Sequence, residues 1–240
     1  MVMANFKKYF RLKNYVAYFL GKYKKSYSQH VEDLLIESAL QTLGVSNPPY
    51  LDIGANHPVL LNNTFLFYSK GGKGVCVEPN PEIFQKIKNR RGRDICLNMG
   101  IGTFDSDGAD FYMMSSSGFS TFVKSEAEKC AKENNYGVQK IEKIIKIPLI
   151  NINTLMEKYF PDGVDLVSLD TEGYDFEILK ALDFGKHRPK VFCVETLRYE
   201  TTNKLRKQTE IIDYMTEHGY FLYADTYVNS IFVDKKAWPL

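Results

Sequence analysis

Apolar and polar positions recur along the chain with two periods, and the elements they predict follow a regular order. Val31, Leu34, Leu35 and Leu40 share one face at helical spacing, which predicts a helix over residues 30–43 with Ser28 as its cap and Gly44 as its stop. The short strand-like run 50–53 breaks at Gly54, and a helical stretch over 64–70 ends at Gly71 and Gly72. A second strand, 74–78, leads to Asn80, which caps a helix with Pro81 in its first position, where a missing N–H costs nothing. Ile83, Phe84 and Ile87 are that helix's expected inner stripe, and 94–97 reads as a third strand.

The pattern is less regular over residues 104–146, where a local hairpin near 109–114, packed by Met113 and Met114, and a charged helix over 124–134 are expected. Alternation then resumes. Helices are predicted over 154–160, 174–182 and 203–218, with strands at 164–169 and 191–194. Two final strands, 220–224 and 229–233, are joined by a link too short for a parallel crossover, so they must pair antiparallel. Strand–helix alternation predicts an α/β fold with a mostly parallel, doubly wound sheet, helices on both faces, a reversed final strand and extra N-terminal helices.

Composition narrows the class. With 240 residues, 44% hydrophobic and 25% charged, the chain suits a globular domain. A net charge of +2 gives no global argument for nucleic acid, and none is expected as a partner. No apolar run reaches the roughly 18–20 residues that span a bilayer. Cys76, Cys96, Cys130 and Cys193 lack paired spacing, so a reducing, cytoplasmic setting is expected and structural zinc is not. Charge is uneven: Lys7, Lys8, Arg11, Lys13, Lys22, Lys24 and Lys25 precede the first acid and are interleaved with aromatics. Residues 1–26 therefore read as a basic amphipathic helix. It either packs on the domain, the favoured reading, or touches the inner face of an anionic membrane. Residues 27–240 read as one domain, with 104–147 as an irregular insertion.

Candidate chemistry sits at strand ends. Asp52, Gly54 and Asn56 lie at the C-terminal end of the first strand, at the edge where open α/β sheets bind ligands. Asn56 and Val59 stand where a dinucleotide fold needs its second and third glycines, which disfavours NAD. Glu78 ends the second strand, placed to accept ribose hydroxyls. Asp170 and Glu172 follow a later strand, and Glu195 ends the next. Converging carboxylates could act as a general base, bind a hard divalent cation or simply cap a helix; no metal is predicted. His30 and His57 are minor candidates without metal-ligand spacing. The stretch 115–120, with Gly118, reads as a mobile loop over the site.

These residues in this order resemble FkbM-type methyltransferases. The resemblance rests on Tyr27 to Asp33, Leu51 to Asn56, Val77 to Pro81, Leu169 to Asp175, Glu195, and Asn229 to Val233. It implies a Rossmann-like class I methyltransferase fold, S-adenosyl-L-methionine as donor, and O-methylation of a hydroxyl on a glycan sugar or secondary metabolite. By position, Asp52, Gly54 and Asn56 would line the methionine end, Glu78 would hold the ribose, and Asn98 to Ile101 would border adenine. Ser28 and Gln29 would close the pocket from the N-terminal side, and Asp170, Glu172 and Glu195 would face the acceptor, which 104–147 would help to select. Many relatives carry a further glycine where this chain has His57-Pro58, and commonly a glycine where Val31 stands. The rival readings are a nucleotide-using enzyme of similar fold, an RNA methyltransferase, and a non-catalytic membrane- or partner-docking module with a degenerate pocket.

Overall fold

A computed structural model describes residues 24–132, 139–199 and 205–239. Most of the basic segment read in residues 1–26 therefore lies outside the described residues. The first helix, α1 (Glu32–Thr42), buries Ile36, Ala39 and Leu40. Its cap position is Val31 in a left-handed conformation, φ 62°. Ser28 contributes from three positions further out, where its Oγ accepts from Asp33 N at 3.2 Å.

Next come β1 (Tyr50–Ile53), α2 (Phe65–Ser69), β2 (Gly74–Val77), α3 (Pro81–Arg90) and β3 (Ile95–Leu97). Asn80 caps α3 as expected, accepting from Glu82 N and Ile83 N. Ile83 and Ile87 are buried, whereas Phe84 is only half-buried, under the Lys88 ammonium.

The middle of the chain departs from the expected local hairpin. β4 (Gly100–Gly102), β5 (Ser106–Met114) and β6 (Ile141–Asn151) form a separate three-stranded sheet in the order β4-β6-β5. Between β5 and β6 lie a 3-10 turn (Ser117–Phe119) and α4 (Lys124–Lys132). Along its length β5 pairs with a strand some thirty residues away, for example Phe111 with Ile145, and it meets its own neighbourhood at the isolated Tyr112–Thr121 bridge. Short-range turn signals do not report such non-local pairing.

The final portion contains α5 (Ile152–Tyr159), β7 (Leu166–Leu169), α6 (Asp175–Ala181), β8 (Val191–Glu195), β9 (Leu197–Tyr199), β10 (Leu205–Lys207), α7 (Thr209–Glu217), β11 (Tyr220–Asp225) and β12 (Asn229–Asp234). The long helix expected over 203–218 starts only at Thr209; residues 203 and 204 lie outside the described residues. Its first expected turn is instead β10, which pairs antiparallel with β9 and is anchored by Lys207 Nζ on Asp225.

The main sheet has seven strands in the order β11-β12-β8-β7-β1-β2-β3. β1, β2, β3, β7 and β8 are mutually parallel. Only β12 is reversed, antiparallel to both β8 and β11. This is the class I methyltransferase arrangement that the resemblance implies. The chain steps outward from β1 through β2 to β3, then restarts at β7 on the other side of β1. That reversal makes the β1/β7 boundary the topological switch point, where α/β sheets open a crevice.

Both faces of the sheet are covered. On one, Leu51, Ile53, Val77, Leu169, Phe192 and Val194 pack against α5, α6 and α7. On the other, Tyr50, Leu166, Val191, Cys193, Ile231 and Val233 pack against α1. Successive strand residues point to opposite faces, so each strand contributes to both layers. No helix among the described residues is long and apolar enough to cross a membrane. All four cysteines are free thiols.

Candidate active site

A pocket opens at the switch point over the C-terminal ends of β1, β2 and β7. It encloses about 740 Å³ counted to its open mouth. Gly54, Asn56, Glu78, Asp170, Thr171 and Glu172 form its polar floor. Val77, Met99, Ile101, Phe111, Phe122 and Tyr174 supply an apolar wall. Ser117, Gly118 and Ser120, from the stretch read as a loop over the site, line it as well. Among the described residues its lining includes three carboxylates and no lysine, arginine or histidine.

Gly54 is required at the turn. It has φ 74°, and a Cβ there would stand 1.8 Å from the Asp170 carbonyl oxygen. The absent side chain lets the β1 turn nest against the end of β7. Asn56 is also left-handed, φ 47°, a conformation that asparagine tolerates. Its backbone N–H donates to Glu78 Oε2 at 2.8 Å, and Asn80 N–H donates to Glu78 Oε1 at 2.8 Å. Each carboxylate oxygen keeps a lone pair for a ligand hydroxyl. Burial pushes the Glu78 carboxyl up to about 7, although those two N–H groups pull it down.

Asp170, Glu172 and Glu195 converge, with one oxygen from each lying within 4.8 Å of the others. Burial is the main cause that raises all three. It takes Asp170 to about 7, with Asp175 and Asp52 adding repulsion and a hydrogen bond to Glu195 opposing it. Glu172 and Glu195 are raised well above the ordinary carboxylate range, first by burial and then by Asp170. None of the three caps α6. Its cap position is Tyr174, and buried Asp175 holds the loop by accepting from Thr171 N and Gly173 N. Glu172 sits at φ 54°, a costly conformation for glutamate, and its carbonyl accepts from Thr121 Oγ1.

Other residues singled out in the sequence lie elsewhere. Asp52 faces away from the pocket, because it alternates with pocket-lining Ile53 along β1. Its Oδ2 accepts from Thr64 Oγ1 at 2.7 Å, Asn62 Nδ2 at 3.1 Å and Arg91 Nη1 at 3.3 Å. Asn98 is outside the lining and donates to the Glu78 and Pro79 carbonyls, fixing the loop behind Glu78. Ser28 Oγ is turned onto Asp33, and Gln29 is exposed; neither lines the pocket. His57 caps its own turn, with Nδ1 accepting from Val59 N and Leu60 N, and His30 is exposed near Glu32. Residues that sequence reading passed over include Phe111, Thr121 and Phe122, all in the lining. Their place depends on the second sheet, which left no short-range signal.

The seven-stranded order with its one reversed strand, and a pocket at the switch point, match the class I methyltransferase architecture. The chain belongs to the methyltransferase FkbM domain family, whose pattern matches residues 52–222, well over half of its length. No curated protein matches it. Among solved structures it is similar to the Burkholderia thailandensis 1,6-didemethyltoxoflavin-N1-methyltransferase with bound S-adenosylhomocysteine. That similarity has 10% identity and a TM-score of 0.41, covering 96% of this chain and 88% of the other. It is also similar to the magnesium protoporphyrin IX methyltransferase of Synechocystis PCC 6803, at 9% identity and a TM-score of 0.38, covering 85% and 79%. At these scores neither likeness bears on the chemistry of this chain.

Proposed function

We propose that the protein transfers the sulfonium methyl group of S-adenosyl-L-methionine to a hydroxyl oxygen, on a glycan sugar or a secondary metabolite. The carrying observation is the pocket's lining: among the described residues it holds three carboxylates and no cationic side chain. A positively charged sulfonium with an amino-acid tail suits that surface, whereas the pyrophosphate of a dinucleotide would be repelled. Glu78 is placed to accept from the ribose hydroxyls, and Gly54 and Asn56 to border the methionine portion. Met99, Ile101 and Phe122 offer an apolar slot for adenine.

The donor's leaving group is already activated, so much of the acceleration comes from aligning the acceptor oxygen with the methyl carbon. Asp170 or Glu172, which line the pocket, would accept the hydroxyl proton during or after attack. Burial raises Asp170 to about 7, which suits a group that exchanges protons near neutrality.

Calorimetric titration with S-adenosylhomocysteine and, separately, with NAD tests this reading, each repeated on Glu78→Ala. Binding of S-adenosylhomocysteine alone, weakened at least tenfold by the substitution, is expected. Folded protein that binds NAD instead, or neither ligand, would remove it.

A further inference from the structure

We propose that Asp170, Glu172 and Glu195, joined by the side-chain oxygen of Asn229, bind a hard divalent cation, Mg²⁺ or Mn²⁺. Its open positions hold oxygens of the acceptor beside the methyl donor. The role in holding the acceptor rests on the methyl-transfer reading; the cation site itself does not.

Geometry is the first support. One oxygen from each carboxylate lies within 4.8 Å of the other two. Around a hard cation with metal–oxygen distances of about 2.0–2.6 Å, ligand oxygens stand roughly 3–5 Å apart, so this spacing admits a shared ion. Two of the three carboxylates end adjacent strands of one sheet, a rigid platform for a coordination shell.

Charge is the second. Several other acids have cationic partners: Asp52 has Arg91, Glu37 has Lys24 and Lys70, Asp234 has Arg188, and Glu126 has Arg198. Buried Asp33, Glu78 and Asp175 are instead held by N–H or O–H donors. Among the described residues none of Asp170, Glu172 and Glu195 is in an ion pair. Three converging acids without a counter-charge are what a divalent ion would neutralise.

The independent observation is Asn229. It is 5% exposed and stands directly opposite Glu195 in the β12–β8 register, so both side chains leave the same face. Its Nδ2 donates to Glu32 Oε1 at 3.1 Å. Its Oδ1 is buried and has no partner among the described residues. A buried acceptor without a donor beside an acidic cluster asks for a cation. The donor set is all oxygen, which selects Mg²⁺, Mn²⁺ or Ca²⁺ over zinc or copper. Asp170 and Glu172 also line the pocket, so remaining coordination positions would face the acceptor.

Mn²⁺ titrated into the purified full chain, with free Mn²⁺ read by electron paramagnetic resonance, tests the site without any turnover. One Mn²⁺ per chain, displaced by Mg²⁺, is expected. Glu195→Gln should weaken it at least tenfold and Asn229→Ala several-fold, with exposed Glu82→Gln as the unchanged control. S-adenosylhomocysteine affinity, measured on each variant, reports that the pocket is still folded. Wild-type protein that binds S-adenosylhomocysteine but no Mn²⁺ up to millimolar concentration overturns the cation site and leaves methyl transfer standing. Mn²⁺ bound equally by wild type and Glu195→Gln overturns the placement. Mn²⁺ bound as expected by protein that takes no S-adenosylhomocysteine keeps the cation and removes its role in methyl transfer.

Discussion

Arg91 reaches back from the end of α3 to bring its Nη1 within 3.3 Å of Asp52 Oδ2, with both side chains buried. The same guanidinium donates from Nε to Asp94 Oδ2 at 2.7 Å and from Nη2 to Thr64 Oγ1 at 2.8 Å. It stacks near the Tyr50 and Tyr68 rings. One residue thus ties the end of β1, the start of α2 and the approach to β3 under the pocket floor. Truncation would leave two carboxylates buried without a counter-charge, which typically costs about 3–5 kcal/mol. Arg91→Ala should therefore lower stability by about that much in urea denaturation, and Arg91→Lys by somewhat less, since lysine lacks the fork geometry. A loss below about 1 kcal/mol would show that the pair is not structural.

Glu78 gives the pocket a pH dependence with a defined sign. Burial raises its folded value to about 7 from an ordinary 4.5. A carboxyl with a raised folded value contributes stability that is fully present below about pH 4.5 and lost as pH rises through about 7. Glu78→Gln cannot ionise, so its stability relative to wild type should improve between pH 5 and pH 8.5, by an amount on the order of 1–3 kcal/mol. Ligand hydroxyls favour the ionised carboxylate. Wild-type affinity for S-adenosylhomocysteine should therefore strengthen through pH 7, while the variant's stays weak and flat. Matched denaturation and calorimetry at both pH values check this; parallel pH profiles for the two proteins would contradict it.

Val31 is the cap residue of α1 at φ 62°, half exposed and β-branched. A left-handed conformation costs an L-residue roughly 1–2 kcal/mol, while glycine carries its own unfolded-state entropy cost of roughly 0.5–1 kcal/mol. The difference favours Val31→Gly by up to about 1 kcal/mol. The expected outcome is a melting temperature a few degrees higher with S-adenosylhomocysteine binding unaltered; a lower one would show that the Val31 side chain supplies packing that outweighs the strain.

What was legible in the sequence follows from the range of the signal. Strand ends carry their own punctuation, so Gly54, Asn56, Glu78 and Asp170 could be placed at one sheet edge from their positions alone, and the short link between β11 and β12 fixed the reversed strand. Asp52 was assigned to the pocket because it neighbours Gly54, but strand alternation turns it to the opposite face. Arg91 follows a helix in a basic run with nothing local to single it out; only the tertiary fold brings Asp52, Asn62 and Thr64 to it. The wall residues Phe111 and Phe122 depend on the pairing of β5 with distant β6, and the β10 strand depends on β9 and Asp225. Neither leaves a periodicity of its own.

Gly54 offers the sharpest test of how the pocket floor is built. Its φ of 74° is strained for any residue with a side chain, and an added Cβ would meet the Asp170 carbonyl oxygen at 1.8 Å. That oxygen belongs to the backbone, so it cannot rotate aside as a flexible side chain would. Around it are fixed hydrogen bonds: Gly54 N donates to the Val77 carbonyl at 3.0 Å, and Asp170 N donates to the Ile53 carbonyl at 3.1 Å. Relieving the clash must therefore separate the end of β1 from that of β7 or break one of these bonds. Gly54→Ala should cost more than the roughly 1–2 kcal/mol of the left-handed conformation alone. It should also abolish S-adenosylhomocysteine binding, because Glu78 takes its Asn56 N–H from the same turn. Gly118→Ala is the matched control. It lies in the same pocket, and its added Cβ would meet only Asn56 Nδ2, at an ordinary 3.7 Å. Stability should hardly change there. If the two alanine variants melt and bind alike, the close approach of β1 and β7 is not what shapes the floor.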